Sequence, residues 1–379
     1  MRKKSSRKKR IYLKFNLMII ITVLIFILIL GVLVFSHELG HFLMAKRAGV
    51  KVLEFGFGFP PKIFGKKYHG TIYSINAIPL GGFVKIFGEE GEGQGKKDSF
   101  ISRSAWQRFI ILATGVLFNL ILAVIILSIY FWMGGPTIAS DPTEYTDSAK
   151  TTYETLVWEA EEGSPANKAG IIRWDVILGI NREKVSDFSL VQNIVKNNPN
   201  QLIKLEVSRQ EEEKNFEIKL ADKDGQGFLG VRAVENYTSA HYSWWKVPYI
   251  AAAETLKIIW VIISVLGLYL KNLIFKAQAP SDLAGPVGIF ILTREAIKLG
   301  LEEVLRFVAL LSINLAIINI LPLPALDGGR ILFIIIEKIR GKKVTPKIEN
   351  TVHTIGFAAL ILLIILITYQ DVVKFVLKR

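Results

Sequence analysis

The sequence predicts a polytopic α-helical membrane protein with four transmembrane helices, a membrane-associated β-hairpin and one inserted extracytoplasmic domain of mixed α/β character. Three observations carry this expectation. Of 379 residues, 51% are hydrophobic and mean hydropathy is positive, as in membrane proteins. Several apolar runs approach or exceed the roughly 20 residues that span a bilayer. From Thr137 onward the composition changes to that of a soluble domain, with room for about 100 residues before the apolar runs resume.

Cysteine is absent, which excludes a disulfide framework and any thiolate zinc site, so a metal would rest on His and carboxylate. The histidines are His37, His41, His69, His241 and His353, so a metal on the first two would take its third ligand from one of the last three or from an Asp or Glu. The formal charge is +14. In a soluble protein that would point to nucleic acid. Here Lys and Arg cluster beside apolar segments, so anionic membrane lipids are the expected partner and nucleic acid is not.

Residues 1–16 form a basic extension, and 17–45 the first transmembrane helix. Cleavage of a signal peptide is not expected, because the apolar run 17–35 is too long for its apolar region and removal would sever the motif at its end. That motif is His37-Glu38-Leu39-Gly40-His41, an H-E-x-x-H pattern. Residues four apart share one helix face, so both imidazoles can reach a single tetrahedral Zn²⁺, with Glu38 beside them to handle the proton. The competing reading is a pair of hydrogen-bonded histidines at a helix end. Ionisable groups at membrane depth are costly, which favours a functional cluster.

Residues 46–108 form a Gly-rich, basic, cytoplasmic-side loop. Within it, 51–60 (KVLEFGFGFP) and 71–87 (TIYSINAIPLGGFVKIF) alternate as strands do, broken at Pro79 and Gly81-Gly82, and predict a β-hairpin. It is either a small stabilising sheet or a strand edge that receives an unwound substrate by β-addition, through Gly81, Gly82 and Phe83. The second transmembrane helix covers 109–136. Its Asn119 is expected to make an interhelical hydrogen bond. The soluble domain covers 150–235, with short strands, a helix near 189–196 and an acidic excess at Glu211-Glu212-Glu213.

In the linker 245–300, the run 258–270 is bounded by Lys257 and Lys271 and is short for a span, so an interfacial or re-entrant helix is expected. The third transmembrane helix, 304–327, carries Asn314 and Asn319, then Pro322 and Pro324, and ends in Leu326-Asp327-Gly328-Gly329-Arg330. The fourth covers 351–370. Asp327 is the best third metal ligand, a carboxylate at membrane depth where prolines and glycines let the chain turn inward. His37 and Asp327 both lie at the C-terminal ends of their spans, so those helices must cross in the same direction. An odd number of crossings then separates them, which gives four spans with 258–270 not crossing. The basic loops 46–108 and Lys342-Lys343-Lys347 place themselves in the cytoplasm and the acidic domain outside. The basic termini, Met1 to Arg10 and Lys378-Arg379, point the other way.

HELGH at 37–41, FGFGFP at 55–60, INAIPLGGFVK at 75–85, GPVGI at 285–289 and INLAIINILPLPALDGGR at 313–330, in this order and spacing, resemble the site-2 protease family of intramembrane zinc metalloproteases. Within it they are most similar to the bacterial regulator-of-sigma-E protease type. The resemblance implies His37, His41 and Asp327 as zinc ligands, Glu38 as the catalytic carboxylate, Asn319 near bound substrate, and a membrane-re-entrant hairpin that engages it. Before its second-span Asn the family often carries Gly-Pro, where this chain has Gly115-Val116. The soluble domain is similar to a PDZ domain at Gly163-Ser164-Pro165-Ala166, Ala169-Gly170, Asp175-Val176-Ile177 and Ile180-Asn181. There Phe228-Leu229-Gly230-Val231 is either a carboxylate-binding loop or a plain terminal strand. The family further implies a bacterial cytoplasmic (inner) membrane and single-span membrane protein substrates, anti-sigma factors or remnant signal peptides among them. It also implies an upstream site-1-type protease and a PDZ domain acting as a size filter.

The expected activity is thus hydrolysis of peptide bonds within transmembrane segments. One rival is a non-catalytic membrane scaffold with a PDZ domain and a structural metal, for which Glu38 would be superfluous. The other is a metal transporter, which would favour carboxylates and histidines spread along a path rather than one tight cluster.

Overall fold

The computed structural model describes residues 2–140, 145, 152–173, 175–185, 188–209, 212–239, 242–276 and 284–374. His241, Glu211, the basic end at Lys378-Arg379 and the first residues of the predicted soluble domain lie outside them. The chain divides into two compact units, 1–130 with 248–379, and 131–247.

In the first unit, α1 (Arg2–Arg47) leads into β1 (Val52–Tyr68) and β2 (Thr71–Ile86), which are antiparallel. Strand β1 runs past the predicted 51–60, β2 matches the predicted 71–87 to within a residue, and both fold double. Phe55 is paired with both Tyr73 and Val84, and Gly56 with both Ser74 and Phe83, so 52–57 lies between the two halves of β2. Next comes α2 (Ala105–Trp132). After the second unit come α5 (Val247–Lys276), α6 (Pro286–Leu299), α7 (Leu301–Ile320), α8 (Asp327–Arg340) and α9 (Pro346–Val372); α3 and α4 belong to the second unit.

Among the described residues five helices, not four, are long and apolar enough to cross a membrane: Met18–Arg47 within α1, α2, α5, α7 and α9. The run 258–270 sits inside the 30-residue α5. That helix continues past both bounding lysines because Lys is a good helix former whose stem lies along apolar surface. The expected third span also ends early. The helix α7 stops at Ile320, because Pro322 and Pro324 cannot donate to a continuing helix, and Asp327 opens α8.

A compact core gathers the inner ends of these elements. Ala45 of α1, Val52 of β1, Ile86 of β2, Ile111 and Leu112 of α2, and Ile331 and Ile334 of α8 are all buried together. Where these elements lie in the bilayer, close packing rather than transfer from water holds them together. This core fixes the end of α1, where the histidines are, against the start of α8.

The second unit holds an antiparallel sheet in the order β10-β3-β4-β6-β7, with β5 on β4. Its strands are β3 (Thr152–Ala160), β4 (Val176–Ile180), β5 (Glu183–Lys184), β6 (Leu202–Arg209), β7 (Glu212–Lys219) and β10 (Val231–Ser239). The short β8 (Ala221–Lys223) and β9 (Gln226–Phe228) pair separately. Two helices join the sheet. One is α3 (Pro165–Ala169), which Ser164 caps by accepting from the Asn167 N–H; the other is α4 (Phe188–Lys196). Alternate strand residues such as Ile203, Leu205 and Val207 meet Val191 and Val195 of α4 in the core, as a half-buried sheet demands.

Candidate metal and catalytic centre

On α1 the spacing of four brings His37 and His41 to one face, with their rings edge to face and centroids 4.6 Å apart. Their Nε2 atoms lie 3.0 Å from each other. Oδ2 of Asp327 is 2.9 Å from the first and 3.3 Å from the second. Both histidines are buried. Despite its short contacts, Asp327 Oδ2 has no partner in hydrogen-bonding geometry. Three atoms that can each offer a lone pair therefore converge, at separations close to the roughly 3.3 Å between ligands of a tetrahedral zinc ion. The residues fit a metal, and among the described residues this is the one such His, Asp and Glu group.

Helix α2 forms the wall behind the rings. Nδ1 of His41 lies 2.9 Å from the Ile111 carbonyl oxygen. A proton there is donated to that carbonyl and leaves Nε2 free for metal. Gly115 sits one turn further on. A Cβ there would overlap Nε2 of His41 and Cε1 of both rings, so no other residue admits the pair. Asn119, one turn beyond, reaches Nδ1 of His37. Ser36 ties the helices by donating to the Phe118 carbonyl at 3.1 Å.

Asp327 is delivered by a tight reversal after α7. Gly328 and Gly329 lie against the carbonyls of Ile320, Leu321 and Leu323, where any Cβ would overlap backbone. Ala325 adopts φ 73° and donates its N–H to Nδ1 of His353 at 2.9 Å. His353, one of the histidines open as a third ligand in the sequence, therefore stands behind the loop that carries Asp327. Arg330, one turn along α8, pairs with Glu89 at 2.8 Å and fastens the turn after β2 to the same helix.

Glu38 faces the metal group from α1, and its Oε2 accepts the backbone N–H of Val84 at 2.9 Å. Glu38, both histidines, Asp327 and Phe83 line one cavity of about 430 Å³, with Glu89, Glu90 and Arg330 at its wall. Gly81 and Gly82 are buried nearby in β2 and do not line it. Asn314 and Asn319 are half-buried on α7 and are likewise absent from its lining. Backbone groups at Val84 and Ile111 were not legible as site residues.

A carboxylate poised beside a His-His-Asp metal group, in a chain of bilayer-length helices, defines a membrane zinc metalloprotease. The family model described as Peptidase family M50 matches residues 25–363, and the chain belongs to that family. It is 29% identical to the regulator of sigma-W protease RasP of Bacillus subtilis, over 94% of this chain and 99% of that protein. It is 30% identical to the zinc metalloprotease RasP of Shouchella clausii, over 93% and 99%. Among solved structures, the PDZ domain of an SdrC-like protein of Listeria innocua matches 23% of this chain and 99% of its own, with 22% identity and a TM-score of 0.20.

Proposed function

We propose that this protein is an intramembrane zinc endopeptidase that cuts within the transmembrane segments of single-span membrane proteins, with His37, His41 and Asp327 holding the metal and Glu38 as the acid and base. The observation that carries this is the convergence of Nε2, Nε2 and Oδ2 in the same cavity as the Glu38 carboxylate.

When bound, zinc supplies a Lewis acid that acidifies water and polarises a peptide carbonyl. Glu38 removes a proton from the attacking water and returns it to the departing amine. The Val84 N–H occupies Oε2, which orients the carboxylate and leaves Oε1 to face the cavity. The imidazoles are held by α2, so the ligand atoms need no rearrangement during turnover.

The substrate must be unwound before its carbonyls are available. The outer half of β2 at 82–86, with Phe83 at the cavity, suits an added strand. Gly81 lies against Val34 of α1, and Gly82 lets the edge approach the Gly56 carbonyl of β1. Asn314 and Asn319 supply polar groups along α7 that favour water and non-helical backbone at membrane depth.

Four crossings are supported by the direction of the helices. Both α1 and α7 run toward the site, whereas α2 starts there and runs away. An even number of crossings must then lie between α2 and α7. With 14 residues, α6 is about 21 Å long and too short for a core of roughly 30 Å, which supports α5 lying along the interface. The two basic loops meet at the site's end, where Lys343 donates to the Ile101 carbonyl at 2.7 Å. That favours a cytoplasmic site in the bacterial inner membrane, anionic lipids around the basic segments, and the second unit outside. We read that unit as PDZ-like, with a groove between α4 and Phe228-Leu229-Gly230, filtering substrates already trimmed by an upstream protease. Sigma-factor regulation, in the name of the Bacillus relative, makes anti-sigma factors the first substrates to try.

The test is digestion of a single-span reporter lacking its outer domain by the detergent-purified, zinc-loaded protein, with the cut mapped by mass spectrometry. A cut inside the span is expected. Intact reporter would favour the scaffold reading, and cuts confined to flanking soluble sequence would mean a metalloprotease that does not act within the membrane.

A further inference from the structure

The hydrogen bonds of the two imidazoles are unequal. His41 has a strong acceptor for its Nδ1 proton in the Ile111 carbonyl. His37 faces the amide of Asn119, with Nδ2 3.4 Å from Nδ1, while Oδ1 of the same amide is buried without a partner. Asn119 is 0% exposed. Leaving a buried amide oxygen unmet costs about 1–3 kcal/mol. Turning the amide by 180° keeps its shape and exchanges the two ends. Oδ1 then occupies the place facing Nδ1, where it gains a donor and His37 gains an acceptor.

We infer that Asn119 is a positioning residue for the metal centre, accepting the Nδ1–H of His37 through Oδ1 and so fixing the tautomer whose Nε2 is free for metal. The three positions Ile111, Gly115 and Asn119 are four apart and share one face of α2. That face offers an acceptor for His41, a notch for both rings and an acceptor for His37, in steps that match the spacing of the histidines on α1. The asymmetry also has a cause. A backbone carbonyl inside α2 is present for His41 whatever the side chain, whereas His37 depends on a side chain that must be of the accepting kind. The main-chain carbonyl of Asn119 meanwhile accepts from Ser312 at 2.8 Å. This tie between α2 and α7 survives a side-chain replacement, so the amide can be tested without undoing the packing.

The inference rests on His37 as a metal ligand, and the experiment separates the two. Co²⁺ is titrated into metal-free wild type, Asn119→Leu, Asn119→Asp and His37→Ala in detergent, with affinity read by chelator competition and geometry by the visible absorption of bound Co²⁺. Loss of an outer-shell partner typically weakens metal affinity by about 10–100-fold. Asn119→Leu, of similar size and without an acceptor, is expected to show that loss with an altered spectrum. Asn119→Asp keeps an acceptor and loses the donor, and is expected to stay within about threefold of wild type on the same scale. Wild-type affinity and spectrum in the Leu variant would overturn the proposal. So would a Leu-sized loss in the Asp variant, which also decides the matter if the Leu variant does not fold. Unaltered binding in His37→Ala would instead remove the ligand reading beneath it.

Discussion

The backbone N–H of Val84 in β2 is donated to Oε2 of Glu38 on α1 at 2.9 Å, so the strand beside the cavity and the proposed base are coupled by one hydrogen bond. A strand edge that receives substrate would thereby also set the angle of the base that activates the attacking water. Val84→Pro removes the donor while an outer strand tolerates proline. The expected result is a fall in kcat of about tenfold to a hundredfold, the scale of misplacing a reacting group, with zinc content unchanged. Wild-type turnover in this variant would show that the contact does not orient Glu38.

Gly115 makes a sharper steric prediction. A methyl group there would overlap both imidazoles, and the neighbours are helix backbone and rigid rings. Gly115→Ala is expected to purify with well under one zinc per chain by metal analysis. Full occupancy would mean that the rings sit elsewhere when metal is bound.

Removing the metal with a chelator should abolish cleavage, and added Zn²⁺ should restore it. Asp327→Ala is expected to defeat that restoration, because Oδ2 is the atom that closes the ligand set. Recovery of activity in Asp327→Ala at stoichiometric zinc would move the third ligand to another residue.

In the second unit Asp175 is fully buried and pairs with Arg209 at 2.6 Å, and also accepts from the Ile172 N–H at 2.9 Å. Its hydrogen bonds hold the Arg209 guanidinium above its ordinary pKa. Asp175→Ala leaves the half-buried cation and the Ile172 N–H without this acceptor, at a cost of about 1–3 kcal/mol. Hydrogen exchange should speed across 152–239 while zinc content stays at wild type. Unchanged exchange would show that the pair is dispensable to the domain.

Locality decides which residues were legible in the sequence. His37, Glu38 and His41 announce themselves because helix geometry turns a spacing of four into a shared face, and Asp327 because a carboxylate beside Pro322, Pro324 and two glycines is costly at membrane depth. Val84 and Ile111 were not legible, since each acts through its backbone and any residue type would serve. Gly115 acts through a missing side chain. The doubling of β1 and β2 was hidden because alternation marks strands and says nothing of which strand each half pairs with. Asn119 was legible as a polar group at depth, but its partner depended on the register between α1 and α2. His353 was visible as a candidate ligand, and only the fold reveals that it supports Ala325 instead.

The most direct measurement compares wild type and Glu38→Gln, both loaded with one zinc per chain, on the same single-span reporter lacking its outer domain. The account predicts cleavage within the span by wild type and a loss of at least about a hundredfold in Glu38→Gln, the scale of general acid and base catalysis, with zinc binding retained. Equal cleavage by the two would contradict it, because the proton would then be handled without Glu38.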